Sequence, residues 1–231
     1  EFESVADLTN ARLGVPSGIA SPASLNPMRL LKKGTKLRYD MHYFAIGSEQ
    51  HNKTTMAFKF YAKGVVPKYQ VRSQALRNIP NDELEVPPNT VVRTDGYFRL
   101  PRAAVLSAFQ PHMHNRGKAM CMEAIYPDIR ADSARPGPAR TETLNCVSNY
   151  QFGWHITYPY ADDVAPILPA GTIIHVTAWH DNTAANKYNP NPNKTVYYGD
   201  MTWDEMMFPS YGLVVEDKTL DQKKVLNTRT Y

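Results

Sequence analysis

The sequence predicts an all-β protein, and three observations carry that reading. Eighteen prolines and fourteen tyrosines are spread over 231 residues, and prolines at that density interrupt helices and favour short strands joined by turns. Stretches with a 3.6-residue apolar period are few. One strand opening also recurs: LKKGTKLRYDMHY at Leu31, VPPNTVVRTDGYF at Val86 and LPAGTIIHVTAWHDN at Leu168. In each, Gly or Asn in a turn precedes Thr and an alternating, β-rich run. A weak duplication of β-sandwich units and a shared turn chemistry both fit this recurrence.

Residues Glu1 to Met28 are rich in small and turn-forming types and read as an extended arm. Strands are predicted through Lys36 to Ala45, Thr54 to Lys63 and Tyr69 to Arg77. The polar connector from Asn78 to Asn89 marks the best boundary, placing an arm and a partial first β-sandwich domain at 1–84 and a second β-sandwich domain at 85–231. Within the latter, strands are expected near Thr90 to Leu100, Ala104 to His114, Ala119 to Tyr126, Thr143 to Trp154 and Thr172 to His180. The loop DNTAANKYNPNPNKT follows, where Asn and Pro deny the backbone regular pairing. The charged tail from Glu216 is expected on the surface.

Charge excludes one class of function. Twenty-six basic against 22 acidic side chains leave a net +4, too mild and dispersed for a nucleic-acid binder. No stretch approaches the roughly 18 uncharged apolar residues of a membrane helix, so no membrane span is expected. No signal peptide is recognisable, and the chain opens at Glu1 rather than Met, which suggests that something upstream was processed, trimmed or left out. The two cysteines, Cys121 and Cys146, lie in strand-like runs that a hairpin would set opposite each other. A disulfide, hence an oxidising compartment, is the favoured reading over two buried thiols.

The sharpest chemical feature is PHMHNRGKAM. On a strand, His112 and His114 would share a face about 6.5–7 Å apart. Two imidazoles suit copper, zinc, iron or nickel without choosing among them. A thioether would select copper, and nine methionines are available. Met28, Met56 and Met120 read as core fillers, whereas Met206 lies in YYGDMTWDEMMF, which closes the Asn/Pro loop. Residue type does not separate Met206 from Met207 or Met201. Among the other histidines, His42 precedes Tyr43 on a predicted strand and reads as a ligand or a half-buried strand residue. His51 reads as solvated, His155 and His175 as hydrogen-bonded strand residues, and His180 beside Asp181 as a polar pair or a contact to a ligand.

Taken in order, DMHYFAIG, PHMHNRGKAM, YPD, AWHDNTAANKYNPNP and YYGDMTWDEMM resemble the copper type II, ascorbate-dependent monooxygenase superfamily. That superfamily includes the peptidylglycine α-hydroxylating and dopamine β-monooxygenases, and the similarity is closer to bacterial members associated with c-type cytochromes. The resemblance spans roughly Leu25 to Tyr211. It implies two jelly-roll β-sandwich domains, each with one copper, separated by a solvent-filled gap, in a periplasmic or secreted protein. It also implies that His112, His114 and Met206 hold the oxygen-binding copper, and that His42 is one of three histidines of an electron-transfer copper.

Two departures follow from the same comparison. No His precedes His42, so the early histidine pair of the second copper is missing. Gln110 stands where peptide-amidating members carry an arginine, and Phe208 and Ser210 replace their Asn and Tyr, so peptide amidation is not expected. The resemblance therefore implies a copper monooxygenase, or its oxygen-binding half. It would hydroxylate a C–H bond of a small-molecule substrate with O2, taking electrons from ascorbate or a c-type cytochrome. The competing expectation is a non-catalytic copper-binding or structural subunit of a larger assembly. A carbohydrate-binding or glycan-processing β-sandwich is a third.

Overall fold

The computed structural model describes residues 12–14, 28–30, 34–36, 47–53, 55–58, 60–65, 69–75, 84–127, 140–161 and 163–216. The strands are β1 (Arg12–Gly14), β2 (Met28–Leu30), β3 (Tyr69–Ala75), β4 (Glu85–Val86), β5 (Val91–Arg99), β6 (Ala104–Gln110) and β7 (Gly117–Ile125). They continue with β8 (Thr141–Val147), β9 (Tyr158–Pro159), β10 (Ile167–Leu168), β11 (Ile173–Asp181), β12 (Val196–Tyr197) and β13 (Ser210–Glu216). No helix occurs among the described residues, so none there is long and apolar enough to cross a membrane. The all-β expectation is met.

One sheet runs β1-β2-β3-β13-β6-β10, with β9 also on β6, and a second runs β5-β11-β7-β8. The pairing is antiparallel except between β2 and β3. A short pair, β12 and β4, stands apart. In β7 the period-2 pattern puts Met120, Met122 and Ala124 inward, and in β11 it does so for Ile174, Val176 and Ala178. They meet Leu106 and Phe109 of β6 and Leu168 of β10 in one core between the sheets. Burying each of these larger side chains contributes about 1.5–3 kcal/mol, so the register is strongly specified: a slip of one residue would turn them to solvent.

The recurring strand opening has a conformational basis. Gly34, Asn89 and Gly171, each just before the Thr of its copy, all have positive φ, at 80°, 55° and 87°. Gly and Asn tolerate that region, which is why the motif needs them. Thr90 then caps its turn by donating from Oγ1 to the Pro87 carbonyl at 2.8 Å.

Strand ends differ from expectation for identifiable reasons. β6 stops at Gln110 and does not reach His114, because Pro111 has no N–H for the ladder. β8 stops at Val147, short of Trp154, so His155 lies in a loop and not within a strand. The described residues between 55 and 65 form no strand beyond a bridge at Phe60, and Met56 is exposed, not a core filler. His42 and the rest of 37–46 lie outside the described residues, as does the tail beyond 216.

Cys121 and Cys146 sit directly opposite each other across β7 and β8 and are disulfide-bonded, with their α-carbons 4.1 Å apart. The bond lies on the outer face, opposite the side bearing Met120 and Met122, and closes 25 residues. Restricting an unfolded loop of that length stabilises the fold by about 3 kcal/mol. The Cys121→Ser, Cys146→Ser double variant should lose that amount in urea unfolding. A loss below about 0.5 kcal/mol would contradict the assignment of a stabilising role.

The same outer face carries a charged cluster. His175 contacts Asp95 through Nε2 at 2.7 Å and Glu123 through Nδ1 at 3.1 Å, and Tyr97 stacks on its ring at 4.5 Å. Burial raises the Asp95 pKa, but hydrogen bonds from Arg93, His175 and Thr177 outweigh it and hold the carboxyl below its ordinary value. The cluster ties β5, β11 and β7 together from outside the core.

Candidate metal centre

Two segments from distant parts of the chain build the site. The first, 111–116, leaves β6 at Pro111 and runs to the turn before β7. Met113 is driven into the core, and Tyr150 clamps its backbone twice: the Tyr150 hydroxyl donates to the Met113 carbonyl at 2.6 Å and accepts from the Met113 N–H at 3.1 Å. Gly117 is required here because a Cβ on it would come within 2.5 Å of Met113 Cβ and 2.8 Å of the Tyr150 ring. With Met113 inward, His112 and His114 flank it, their ring centroids 5.2 Å apart and the rings perpendicular. The two imidazoles thus come together although they are not on a strand.

The second segment, 204–208, is laced onto the first. The Phe208 N–H donates to the His112 carbonyl at 2.9 Å, and His114 Nδ1 lies 3.2 Å from the Asp204 carbonyl. The Glu205 carboxylate accepts from the backbone N–H groups of His114 and Arg116, both at 3.3 Å. Met207 packs in the core at 7% exposure, whereas Met206 is half-buried outside it. Alternation along this extended stretch thus separates the two methionines, which residue type does not.

Beneath the site lies a buried polar network. Arg116, fully buried, donates from Nε to Asn182 Oδ1 at 2.8 Å, from Nη1 to the Trp203 carbonyl at 2.9 Å and from Nη2 to the Asn191 carbonyl at 3.4 Å. Asn182 in turn donates to the carbonyls of Val86, Pro87 and Lys194. The Asn/Pro loop is ordered by side chains that imitate backbone turns. Asn186, Asn189 and Asn191 each accept from the N–H two residues on. Asp181 does the same for Thr183 at the start of the loop.

His180 is buried, its Nε2 3.1 Å from the Met206 carbonyl and 3.3 Å from Glu205 Oε2. Its Nδ1 has no partner. A carbonyl only accepts, so Nε2 carries the hydrogen and the ring is neutral. Burial lowers the His180 pKa to about 4 and pushes Glu205 up to about 8, against the pull of the N–H donors of Arg116, His114 and Met206.

These shifts have opposite signs for stability. Glu205, raised above its ordinary 4.5, contributes fully below that pH and loses the contribution as pH rises through about 8. His180, lowered from 6.5, contributes above that value and loses the contribution as pH falls toward about 4. Of the two, only Glu205 still titrates above pH 6.5, so the metal-free protein should be less stable to urea at pH 8 than at 6.5. Glu205→Gln should flatten that slope, and an unchanged slope would contradict the assignment.

One residue at the site escapes sequence reasoning. His155, in the loop after Trp154, places Nε2 3.2 Å from His112 Nδ1, with ring centroids 4.6 Å apart. Burial of the ring, then repulsion from His114, lower its pKa, and a hydrogen bond to the Pro111 carbonyl opposes them. Forty-three residues separate His155 from His112, and no local pattern signals the contact. Phe152 packs edge-on against His114 at 5.7 Å and Phe208 against His112 at 6.4 Å.

Among the described residues no group of three or more His, Cys, Asp or Glu is arranged to hold a metal ion. A thioether from the adjoining segment would be a donor of another kind for an ion on the His112–His114 pair. The residues fit a soft, two-imidazole, one-thioether set.

No family model matches the chain, and no curated protein matches it. Among solved structures, the infectious bursal disease virus VP2 subviral particle is similar at a TM-score of 0.29 and 8% identity, over 68% of this chain and 34% of that one. The Gt strain of that virus gives 0.28 and 9% over 80% and 42%, and the Gx strain 0.28 and 10% over 94% and 54%. The chain thus spans about a third to a half of those proteins. Likeness at this level assigns neither a family nor an activity.

Proposed function

We propose that the chain is a copper-dependent monooxygenase, or the oxygen-binding half of one, with the metal held by His112, His114 and Met206. The observation that supports the reading is the lacing of 204–208 onto 112–116, which brings the segment bearing Met206 against the segment bearing the histidine pair, while Met207 is anchored in the core. Copper held there would supply oxygen activation for hydroxylation of a C–H bond.

The chain's own residues do the rest. The Asp204 carbonyl takes the His114 Nδ1 hydrogen, which leaves the lone pair of that ring on Nε2. Glu205 and Arg116 tie the two segments together, so the ligand-bearing backbone would need little rearrangement to take a metal. Phe152 sets an apolar ring edge-on against His114, and Phe208 against His112. The disulfide supports an oxidising, extracytoplasmic setting, where ascorbate or a c-type cytochrome would supply the two electrons that, with two protons, reduce one atom of O2 to water while the other enters a C–H bond of a small-molecule substrate.

Oxygen uptake by the copper-loaded chain with ascorbate tests the reading. The wild type should consume O2 faster than Met206→Ile at equal copper loading, because a thioether keeps Cu(I) accessible. Equal rates would overturn catalysis and leave a copper-binding protein.

A further inference from the structure

The loop 150–155 is tied to each residue from 112 to 114. Tyr150 holds the Met113 backbone through its hydroxyl at 2.6 and 3.1 Å, and Phe152 packs edge-on against His114 at 5.7 Å. A turn closed by the Trp154 N–H on the Gln151 carbonyl at 2.9 Å then leads into His155. There His155 Nε2 lies 3.2 Å from His112 Nδ1. Two nitrogens on one tetrahedral ion, with metal–nitrogen bonds of about 2.0 Å, lie about 3.3 Å apart. The scaffold therefore already holds two donor atoms at the separation a metal requires. Both rings reach solvent, so an ion can enter between them and water can fill the positions that two imidazoles leave.

We propose that His112 Nδ1 and His155 Nε2 form a two-imidazole chelate for a divalent transition ion, Cu(II) foremost, which makes His155 a ligand of the candidate centre. Imidazole nitrogens completed by water oxygens suit Cu(II), and divalent affinity for such donors peaks at copper. The chelate does not depend on which ring carries the hydrogen between the two nitrogens before metal arrives. A neutral imidazole has one hydrogen for two nitrogens, and each ring can carry it on the nitrogen turned away from the ion. Cu(I) is softer and gains from the Met206 thioether instead, so the two oxidation states favour different partners for His112. The proposal rests on the copper reading for the ion that matters to the protein, while the geometry of the chelate is independent of Met206.

The test is a Cu(II) titration of the metal-free, full-length chain, followed by pulsed electron paramagnetic resonance, which counts the imidazoles on the ion. His155→Leu should bind Cu(II) more than about 100-fold more weakly, since even loss of a residue that merely supports a ligand costs about 10–100-fold. The Cu(II) it does bind should carry one imidazole fewer than in wild type, a change that a supporting role would not produce. Zn(II) affinity should fall in the same direction, and Cu(I) affinity should stay near wild type. Urea unfolding of His155→Leu should match wild type, because the side chain reaches solvent. An equal imidazole count in the two proteins, or an unchanged Cu(II) affinity, would overturn the proposal. Loss of the imidazole in His155→Leu together with an unchanged Cu(I) affinity in Met206→Ile would uphold the chelate and overturn the thioether set. Cu(I) binding that needs Met206, with Cu(II) binding indifferent to His155, would do the reverse.

Discussion

Arg116→Met is expected to destabilise the chain by about 3–5 kcal/mol, because it leaves three buried acceptors, each costing about 1–3 kcal/mol when unsatisfied, without their donor. The guanidinium is almost wholly inaccessible and bonds Asn182, Trp203 and Asn191. Without it Asn182 Oδ1 and the carbonyls of residues 191 and 203 lose a buried donor. Methionine fills much of the volume, so packing accounts for little of the loss. Urea unfolding at pH 6.5 measures it, and a change below about 1 kcal/mol would show that water replaces the three bonds. Arg116→Lys should recover only part of the loss, since one ammonium cannot match a planar fork.

His112→Ala is expected to lower Cu(I) affinity by more than about 100-fold, because even loss of a residue that merely supports a ligand costs about 10–100-fold. Folding stability should change little, since His112 is half-buried and makes no contact to the sandwich core comparable to that of Met113. Met206→Ile separates the metals: Cu(I) affinity should drop well beyond any change for Zn(II), which gains little from a neutral thioether. A competition titration with a Cu(I) chelator reads both variants. Wild-type affinity in His112→Ala would remove that residue from the site.

The strands that carry the core were legible because their chemistry is local. The alternation of Met120, Met122 and Ala124 on β7, and of Ile174, Val176 and Ala178 on β11, specifies a face as well as an element. The turn before each strand announced itself through Gly34, Asn89 and Gly171, residue types that bear positive φ. The pairing of Cys121 with Cys146 followed from two strands in hairpin sequence.

What was not legible depends on contacts made far along the chain. Placing His112 and His114 on a strand overlooked that Pro111 ends the β6 ladder, yet the rings still converge because Met113 is pinned by Tyr150 from 37 residues away. His155 read as an ordinary strand histidine because nothing within its own loop refers to His112. Arg116 drew no attention in the sequence, since an arginine's default place is the surface. Its burial is tolerated because Asn182 Oδ1 and the carbonyls of Trp203 and Asn191 accept from its guanidinium. The separation of Met206 from Met207 was a matter of alternation once the segment's direction was known.

X-ray absorption at the copper edge of the Cu(I)-loaded chain addresses the central claim most directly. A centre built from His112, His114 and Met206 predicts two imidazole nitrogens and one sulfur at about 2.3 Å, the sulfur vanishing in Met206→Ile while the nitrogens remain. A wild-type spectrum without sulfur, or a sulfur shell that survives Met206→Ile, would contradict it.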